Sequence, residues 1–358
     1  MKIALLNLKY DNNYGGNLQR YALVHVLQMF GHEVTHINLR FSFCQPWYKK
    51  PYKFAKQFIK KYLLGKDVFI NEAKHNQRLY EKRCATTEPF YQQYIPHSGI
   101  ITDTDDLKKC TGYDAYVVGS DQVWRKQIAQ DYISSMFFDF VPKDSKAKRI
   151  AYGVSLGVSD NELNKEEIAQ LSELYNRFNA VSVREKSALT LLNEYGWTNP
   201  QAVHVLDPTL LLRKEDYINL INCADTSQPQ GNLFCYILDM TDEKKCLIKN
   251  IEKERRLSSF IVSINNGEKI SIEQWLRYFN DAEFVITDSY HGLIFSIIFN
   301  KPYFLIRNSF RGNARFESVL DMFDISDDGS NVDWKKVDMK QQEMKERSMS
   351  FLKNIAHL

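Results

Sequence analysis

Short apolar runs rich in β-branched residues alternate with stretches of helical periodicity along almost the whole chain. This alternation is typical of βαβ units, in which helices join the parallel strands of a sheet. The sequence therefore predicts an α/β fold with two sets of strands and helices. In the first set the predicted strands are 2–8, 33–39, 115–119, 149–155, 180–184 and 202–206, and the predicted helices are 16–30, 162–178 and 186–195. In the second set the strands are 233–238, 259–264, 283–287 and 302–306, the helices are 243–255, 271–280 and 291–299, and a closing helix spans 334–358.

The length of 358 residues exceeds that of one ordinary domain, so two domains are expected. Residues 224–232 have the composition of a linker. We predict an N-terminal α/β domain over 1–223, with an insertion at about 46–66, and a C-terminal α/β domain over 224–358. Two Rossmann-like domains facing one another form a cleft, and ligands in such folds bind at the carboxyl ends of the strands.

Composition narrows the class of protein. The hydrophobic fraction of 44% and the charged fraction of 25% are those of a globular protein. A formal net charge of +3 is nearly balanced and predicts no nucleic-acid partner. No apolar run approaches the roughly 20 residues that span a bilayer, and the short run after Met1-Lys2 is predicted to be a strand, not a secretion signal. The cysteines show no C-x-x-C pairing, which fits reduced thiols in a cytoplasmic protein.

One segment interrupts the α/β order. Residues 47–66, here called the basic-aromatic segment, carry seven lysines, six aromatic residues and no acid. Phe54, Phe58 and Tyr62 fall on one helical face, which is typical of a helix lying on anionic lipid. The alternative is an ordinary amphipathic helix that packs on its own domain with its lysines in solvent. The first interpretation predicts peripheral contact with the inner face of the cytoplasmic membrane.

A glycine-containing turn follows the first predicted strand and consists of Asn13, Tyr14, Gly15, Gly16 and Asn17. Paired glycines allow backbone N–H groups to approach an anion at a helix N-terminus. The turn lacks the Gly-Lys-Ser/Thr of a Walker loop and is not the G-x-G-x-x-G dinucleotide fingerprint. It is therefore either a binding loop for substrate or a tight turn that needs glycine.

Further polar clusters follow other predicted strands. Gly119, Ser120 and Asp121 come directly after residues 115–118, where a carboxylate suits a site that binds hydroxyls or moves a proton. The alternative is that Asp121 caps a helix. After the strand 180–184, Arg184 offers a planar fork to a carboxylate or phosphate, unless it pairs with its neighbour Glu185 at the surface.

Asp207 is a second candidate carboxylate in the cleft, or simply a turn residue before Pro208.

The last cluster, Asp288-Ser289-Tyr290-His291-Gly292, lies between a buried strand and an apolar helix. Burying these polar side chains together is costly unless they have partners or a function. Histidine is also the side chain best suited to proton transfer near neutral pH, so His291 is predicted to be catalytic.

In this order the clusters resemble the polysaccharide pyruvyl transferase family, and the resemblance runs from Asn13 to about Arg315. It includes a late stretch from Arg311 to Phe316. The resemblance implies a fold similar to the two-domain GT-B glycosyltransferases. It also implies transfer of pyruvate from phosphoenolpyruvate onto a sugar as a cyclic ketal. Acceptors in the family are sugars of surface polysaccharides such as capsules and exopolysaccharides, in bacteria often carried on a membrane lipid.

The resemblance also implies roles for particular residues. Arg184 matches the arginine that anchors the donor, and His291 matches the functional histidine, which would protonate the methylene carbon of phosphoenolpyruvate. Asp121 or Asp207 would orient or deprotonate the acceptor hydroxyls. The predicted substrate-binding set is Asn13, Tyr14, Gly15, Gly16, Asn17, Gly119, Ser120, Arg184, Asp288, Ser289, Tyr290, Gly292, Arg311 and Arg315. No redox cofactor or metal is expected.

The sequence departs from the family pattern at one position. Family members often have Arg-Leu-His at the histidine turn, whereas this chain has Ser289-Tyr290-His291. Arg311, Arg315 or Arg307 would have to supply the missing cation. The missing arginine leaves a non-catalytic protein that binds glycan or lipid as an alternative. The shared fold leaves a second alternative, a GT-B-type glycosyltransferase that uses a nucleotide sugar.

Overall fold

The computed structural model describes residues 1–43, 56, 58–59, 61–62, 69, 71–263, 270–307 and 313–357. These residues form two sheets in which every strand pair is parallel. The first has the order β2-β1-β3-β4-β5-β6 and the second has the order β10-β9-β7-β8. The strands are β1 (Lys2–Leu6), β2 (Glu33–His36), β3 (Ala115–Val118), β4 (Lys148–Val154), β5 (Ala180–Val183), β6 (Val203–His204), β7 (Leu233–Tyr236), β8 (Ser259–Val262), β9 (Phe284–Thr287) and β10 (Tyr303–Leu305).

Helices connect the strands and cover the sheets, which confirms the predicted α/β class. They are α1 (Tyr14–Met29), α2 (Glu72–Cys84), α3 (Glu88–Tyr94), α4 (Lys126–Ala129), α5 (Lys165–Tyr175), α6 (Lys186–Glu194), α7 (Lys214–Asn222), α8 (Asp242–Arg255), α9 (Ile272–Asp281), α10 (Tyr290–Ile298), α11 (Ala314–Phe323) and α12 (Trp334–Lys353). Sequence reasoning did not predict α2, α3, α4, α7 or α11. Their mixed composition gives a weaker apolar stripe than the stripe of α9, which presents Trp275, Leu276 and Phe279 to the core.

The central strands are short and apolar on both faces. All residues of β3, β7 and β9 are buried, as expected when helices cover both sides of a parallel sheet. The order of strands reverses between β1 and β3 in the first sheet and between β7 and β9 in the second. Ligands of open α/β sheets bind at the carboxyl ends of the strands beside such a reversal. The polar clusters after β1, β3 and β9 therefore all lie where a ligand is expected.

The two sheets share one hydrophobic core. Residues of α1 pack with residues of α9 and α10 in a continuous cluster. At this junction the ring of Tyr14 stacks on Trp275 with 5.6 Å between centroids, and the Tyr14 hydroxyl donates to the carbonyl of Ile270. The contact fixes the end of β1 against the second sheet.

The predicted closing helix is present as α12, and it packs against the first sheet's side of the molecule. The backbone N–H of Leu206 donates to Ser348 Oγ at 2.9 Å, and Gln341 Nε2 donates to the carbonyl of Leu210. The division into domains at 223/224 stays a prediction. Helix α12 belongs to the range 224–358 but forms these hydrogen bonds with residues of the range 1–223.

Most of the basic-aromatic segment lies outside the described residues. Of its described members, Lys56, Phe58, Lys61 and Tyr62 are exposed, and the rings of Phe58 and Tyr62 lie 4.6 Å apart. Among the helices that the structure describes, none is both long enough and apolar enough to cross a membrane.

Candidate functional site

A cavity of about 340 Å³, here called the central cavity, opens between the carboxyl ends of the two sheets. It is lined from the first sheet's side by Asn13, Asp121, Gln122, Arg125, Gln127 and Ile128, and from the second by Tyr236, Leu238, Asp288, Ser289, Tyr290, His291, Arg315 and Phe316. The structure thus brings together the predicted residues Asn13, Asp121, His291 and Arg315 from four separate parts of the chain.

His291 lies in the first turn of α10 and is 6% exposed. Its Nε2 is 3.9 Å from Asp207 Oδ2 and forms no hydrogen bond with any described part of the chain. Burial lowers the pKa of His291 to about 4, and the nearby Asp207 and Asp121 offset this only in part. In the ligand-free protein the imidazole is therefore neutral near pH 7, and its Nε2 is buried beside Asp207.

Gly15 explains how His291 fits against the start of α1. A Cβ added at Gly15 would lie 2.0 Å from Cγ of His291, well inside contact distance. Gly292 has a similar role beside it, because a Cβ there would lie 2.0 Å from Oγ1 of Thr287. Both predicted glycines are thus needed for close packing around the histidine, which is a different role from binding an anion.

Arg184 lies beneath the central cavity with its side chain fully buried. Its Nη2 donates to Asp121 Oδ1 and its Nη1 to Asp207 Oδ2, each at 2.8 Å. The ring of Tyr290 lies 4.5 Å from its guanidinium carbon. The predicted contact between Arg184 and the donor does not agree with this placement, because both Nη atoms are used by carboxylates and none of the side chain is exposed. Arg184 instead holds Asp121 in position.

Asp121 faces the central cavity, with 14% of its side chain exposed. Burial alone would favour its neutral form, but the charges of Arg184 and Arg315 keep the pKa of Asp121 well below its usual range. Its backbone has φ +75°, an uncommon conformation for a residue other than glycine. Asp121 is therefore a fixed carboxylate whose second oxygen is suited to accept a hydrogen bond from a hydroxyl.

Gly119 and Ser120 support Asp121 from below. A Cβ at Gly119, which has φ +124°, would lie 2.1 Å from the carbonyl oxygen of Tyr152. Ser120 is fully buried, and its Oγ donates to the carbonyl of Gly153 at 2.6 Å. Neither residue lines the central cavity, so neither has the substrate contact that the sequence predicts.

Asp207 is also fully buried and is saturated with hydrogen bonds. It accepts from Gln19 Nε2, from Arg184, and from both the backbone N–H and the hydroxyl of Thr209. It is not part of the cavity lining. Its predicted contact with acceptor hydroxyls therefore does not agree with its placement, and its carboxylate instead lies behind His291 and Arg184.

Asp288 and Ser289 form hydrogen bonds at the carboxyl ends of β7 and β9 in the second sheet. Asp288, with no exposed side-chain surface, accepts from the backbone N–H groups of Leu238 and Asp239 and from Lys244 Nζ at 2.6 Å. The N–H of Ser289 donates to Thr287 Oγ1. Asp288 thus ties the loop after β7 to the start of α10, although it also lines the cavity.

The turn after β1 divides into lining and supporting residues. Asn13 lines the central cavity and caps α1 by accepting from the N–H of Gly16 at 3.1 Å. Asn17 is buried and donates to the carbonyls of Asp11 and Asn13. Tyr14 makes the contact with the second sheet described above.

An arginine lies in the cavity near Ser289, although Ser289 itself carries no charge. Arg315, in the first turn of α11, lines the cavity with its Nη1 3.9 Å from Asp121 Oδ1 and its guanidinium carbon 5.3 Å from the ring centre of Tyr290. Burial lowers the pKa of Arg315 to about 10, which leaves it charged at neutral pH. Arg307 is instead paired with Asp327 and Glu317 away from the cavity. Arg311 lies outside the described residues.

Sequence reasoning missed Arg125 and Gln19. Arg125 lines the central cavity and pairs with Glu162 at 3.2 Å. Gln19 donates to Asp207 from the second turn of α1. No motif marks either residue, since each acts through a contact that is distant in sequence. Among the described residues, no group of histidine, cysteine or acidic side chains is arranged to hold a metal ion.

These features define a class of protein: an α/β fold with parallel sheets, whose structural neighbours are GT-B glycosyltransferases and epimerases. Three such neighbours have TM-scores of 0.47 to 0.49 and identities of 9 to 10%, and in each the match covers 99% of this chain. They are a UDP-GlcNAc 2-epimerase from Neisseria meningitidis, a putative UDP-N-acetylglucosamine 2-epimerase from Listeria monocytogenes, and the wall teichoic acid polymerase TagF, of which 94%, 90% and 88% are covered.

Residues 13–309 match the sequence profile of the family described as polysaccharide pyruvyl transferase. The chain belongs to this family, and the resemblance first seen in the polar clusters is confirmed. Family membership indicates a transferase that acts on polysaccharide. No curated protein matches the chain in sequence.

Proposed function

We propose that this protein transfers pyruvate from phosphoenolpyruvate onto a sugar of a surface polysaccharide, or of its lipid-linked precursor, and forms a ketal. One observation carries the proposal: a single cavity is lined by a histidine that is neutral near pH 7, a fixed carboxylate and two arginines. The reaction requires a proton donor, an acceptor of hydrogen bonds from sugar hydroxyls, and cations for a donor with two anionic groups.

The donor carries a phosphate and a carboxylate. Arg315 and Arg125 line the central cavity from opposite sides and offer planar N–H forks to these groups. Arg315 thereby replaces the arginine that is absent at Ser289. The N-terminus of α10 adds partial positive charge at the same place.

His291 enters the reaction as the acid only after the donor binds. The negative charge of phosphoenolpyruvate beside the imidazole raises the pKa of His291 from its ligand-free value of about 4, so the ring takes up a proton on binding. It gives that proton to the methylene carbon, and a sugar hydroxyl adds to the neighbouring carbon. Phosphate then leaves, and the second hydroxyl closes the ketal. Of the two hydroxyl protons, one returns to His291 and one leaves with phosphate.

Asp121 orients the acceptor. With its pKa held well below the usual range it is a weak base, but it is an excellent acceptor of hydrogen bonds from sugar hydroxyls. Arg184 and Asp207 act through Asp121 and His291 as positioning residues. The net transfer involves no oxidation or reduction, so it calls for no redox cofactor.

Titration calorimetry tests the proposal by comparing phosphoenolpyruvate with a panel of nucleotide sugars. We expect phosphoenolpyruvate to bind, and Arg315→Met to weaken binding about tenfold or more through loss of a charge-assisted hydrogen bond. Arg307→Met is the matched control, because Arg307 is paired outside the cavity and its loss should leave binding unchanged. Binding of a nucleotide sugar without binding of phosphoenolpyruvate would instead support a glycosyltransferase.

A further inference from the structure

A second cavity, here called the side cavity, adjoins the central cavity and has a volume of about 390 Å³. The two share Asn13, Asp121, Gln127 and Ile128 as walls. The side cavity belongs to the first sheet's side of the molecule, at the end of β1. A ligand that reaches Asp121 from this side would meet Lys9 and Arg20.

Arg20 is a buried arginine without an ion-pair partner among the described residues. It is 4% exposed and lines the side cavity, yet no carboxylate in the described part of the chain forms an ion pair with it. Its Nη2 donates to the carbonyl of Leu8 and its Nη1 to Asn17 Oδ1, while its Nε has no hydrogen-bond partner. Burying a guanidinium without a counter-charge is unfavourable. Arg184, which is equally buried, lies between two carboxylates.

Lys9 brings a second positive charge to the same cavity. Its Nζ lies 4.4 Å from the ring centre of Tyr132 and 5.5 Å from that of Phe41, and no described carboxylate forms an ion pair with it. Three acids also line the side cavity, and the charge of one of them, Asp131, acts on Lys9 without forming an ion pair with it. Asp11 pairs with Arg83 and Asp121 with Arg184, whereas Asp131 is exposed.

We propose that the side cavity binds a phosphate or carboxylate group of the acceptor, so that the acceptor glycan is anionic close to the sugar that receives pyruvate. This inference rests on the proposed function and extends it to the second substrate. Arg315 and Arg125 serve the anions of the donor, and Arg20 and Lys9 serve an anion of the acceptor. Asp121 lies in the wall between the two cavities, where the acceptor hydroxyls must approach the donor.

The acceptor's negative charge has two sources: an acidic group on the sugar itself, or the diphosphate that joins a glycan to its lipid carrier. Titration calorimetry with glucuronate, with glucose as its neutral match, probes the first source, and inorganic pyrophosphate probes the second. Each titration is made with and without saturating phosphoenolpyruvate. Tighter binding of glucuronate would identify an acidic sugar as the source of the acceptor's negative charge, and tighter binding of pyrophosphate would identify the diphosphate.

We expect one anionic probe to bind the wild-type protein, and Arg20→Met and Lys9→Met each to weaken it about tenfold. Arg213→Met, which removes an exposed arginine, should leave the affinity unchanged. Phosphoenolpyruvate should not displace the probe. If Arg20→Met does not fold, as judged by circular dichroism, Lys9→Met and Arg20→Lys provide the same test.

Equal affinities in the wild type, Arg20→Met and Lys9→Met would overturn the inference. So would binding that is lost in Arg315→Met and displaced by phosphoenolpyruvate, because the anion would then occupy the donor's place. Failure of the proposed function has a different signature: phosphoenolpyruvate does not bind, while the anionic probe still depends on Arg20.

Discussion

At the scale of single residues, the contact between Gly15 and His291 links the two polar turns that the sequence presents separately. Each turn is readable on its own, because glycine pairs and buried polar residues stand out in a sequence. The contact between them is not readable, since it joins positions that are far apart in the chain. In the structure, the side chain of His291 occupies the space that a Cβ at position 15 would need, so only glycine fits there.

Replacing Gly15 by alanine tests this contact. The added methyl would lie 2.0 Å from Cγ of His291, so the imidazole has to move, and we expect turnover to fall by about a hundredfold, as for a misplaced catalytic group. Gly99→Ala is the control, because a Cβ there meets nothing within 4 Å. The comparison is made by steady-state kinetics, with circular dichroism to check folding. Wild-type turnover in Gly15→Ala would show that the contact is irrelevant to catalysis.

The pKa of His291 leads to a second prediction. Since the ligand-free pKa is about 4, the ring is neutral at pH 7, and a bound anion that raises the pKa of His291 to near 7 causes proton uptake. Calorimetry of phosphoenolpyruvate binding in buffers of different ionisation enthalpy measures the number of protons taken up. We expect uptake at pH 6 to 7 that disappears in His291→Gln and persists in His75→Gln. Binding without uptake in the wild type would exclude His291 as the acid proposed here.

At the scale of elements, the sequence was sufficient to place most strands and the principal helices, because buried parallel strands are short apolar runs that glycine and polar turns interrupt. It was not sufficient to show which side chain at a strand end faces the cavity. The sequence predicts that Arg184 and Asp207 contact substrate, but both side chains are fully buried and neither lines the central cavity. A lone arginine after a strand looks the same in sequence whether it binds a ligand or two carboxylates.

The packing of α12 gives a prediction about stability. Ser348 is fully buried, accepts from the N–H of Leu206 and donates to the carbonyl of Met344. Ser348→Ala leaves the Leu206 N–H without a partner beside Asp207, which should lower the free energy of unfolding by about 1–3 kcal/mol. Ser350→Ala, on the exposed face of the same helix, is the control and should change it by less than about 0.5 kcal/mol. Urea denaturation measures both, and equal effects would contradict this account of α12.

At the scale of the whole molecule, one cluster of buried residues includes side chains from both sheets and joins them. Of the described residues in the basic-aromatic segment, Phe58 and Tyr62 are exposed. A glycan carried on a membrane lipid lies at the membrane surface, and a helix with lysines and aromatic residues is suited to bind that surface. The peripheral membrane contact remains a proposal that a binding measurement tests.

Sedimentation with vesicles provides that measurement. We expect the protein to bind vesicles that contain anionic lipid and to be released as salt is raised, because lysine contacts with a charged surface are screened over about 10 Å at 0.1 M salt. Replacing Lys56 and Lys61 by glutamine should weaken binding, whereas replacing Lys335 and Lys340 on α12 should not. Recovery in the supernatant that is equal with and without anionic vesicles would contradict the prediction.

The central claim is the transfer of pyruvate from phosphoenolpyruvate, and the most direct test is to run the reaction in D₂O with a panel of sugars that includes acidic ones. If an acid in the central cavity protonates the methylene carbon, mass spectrometry of the product will show a ketal whose methyl group carries a single deuterium, together with released phosphate. His291→Gln should abolish both. A glycosylated product formed from a nucleotide sugar, with no pyruvylated product from phosphoenolpyruvate, would contradict the account.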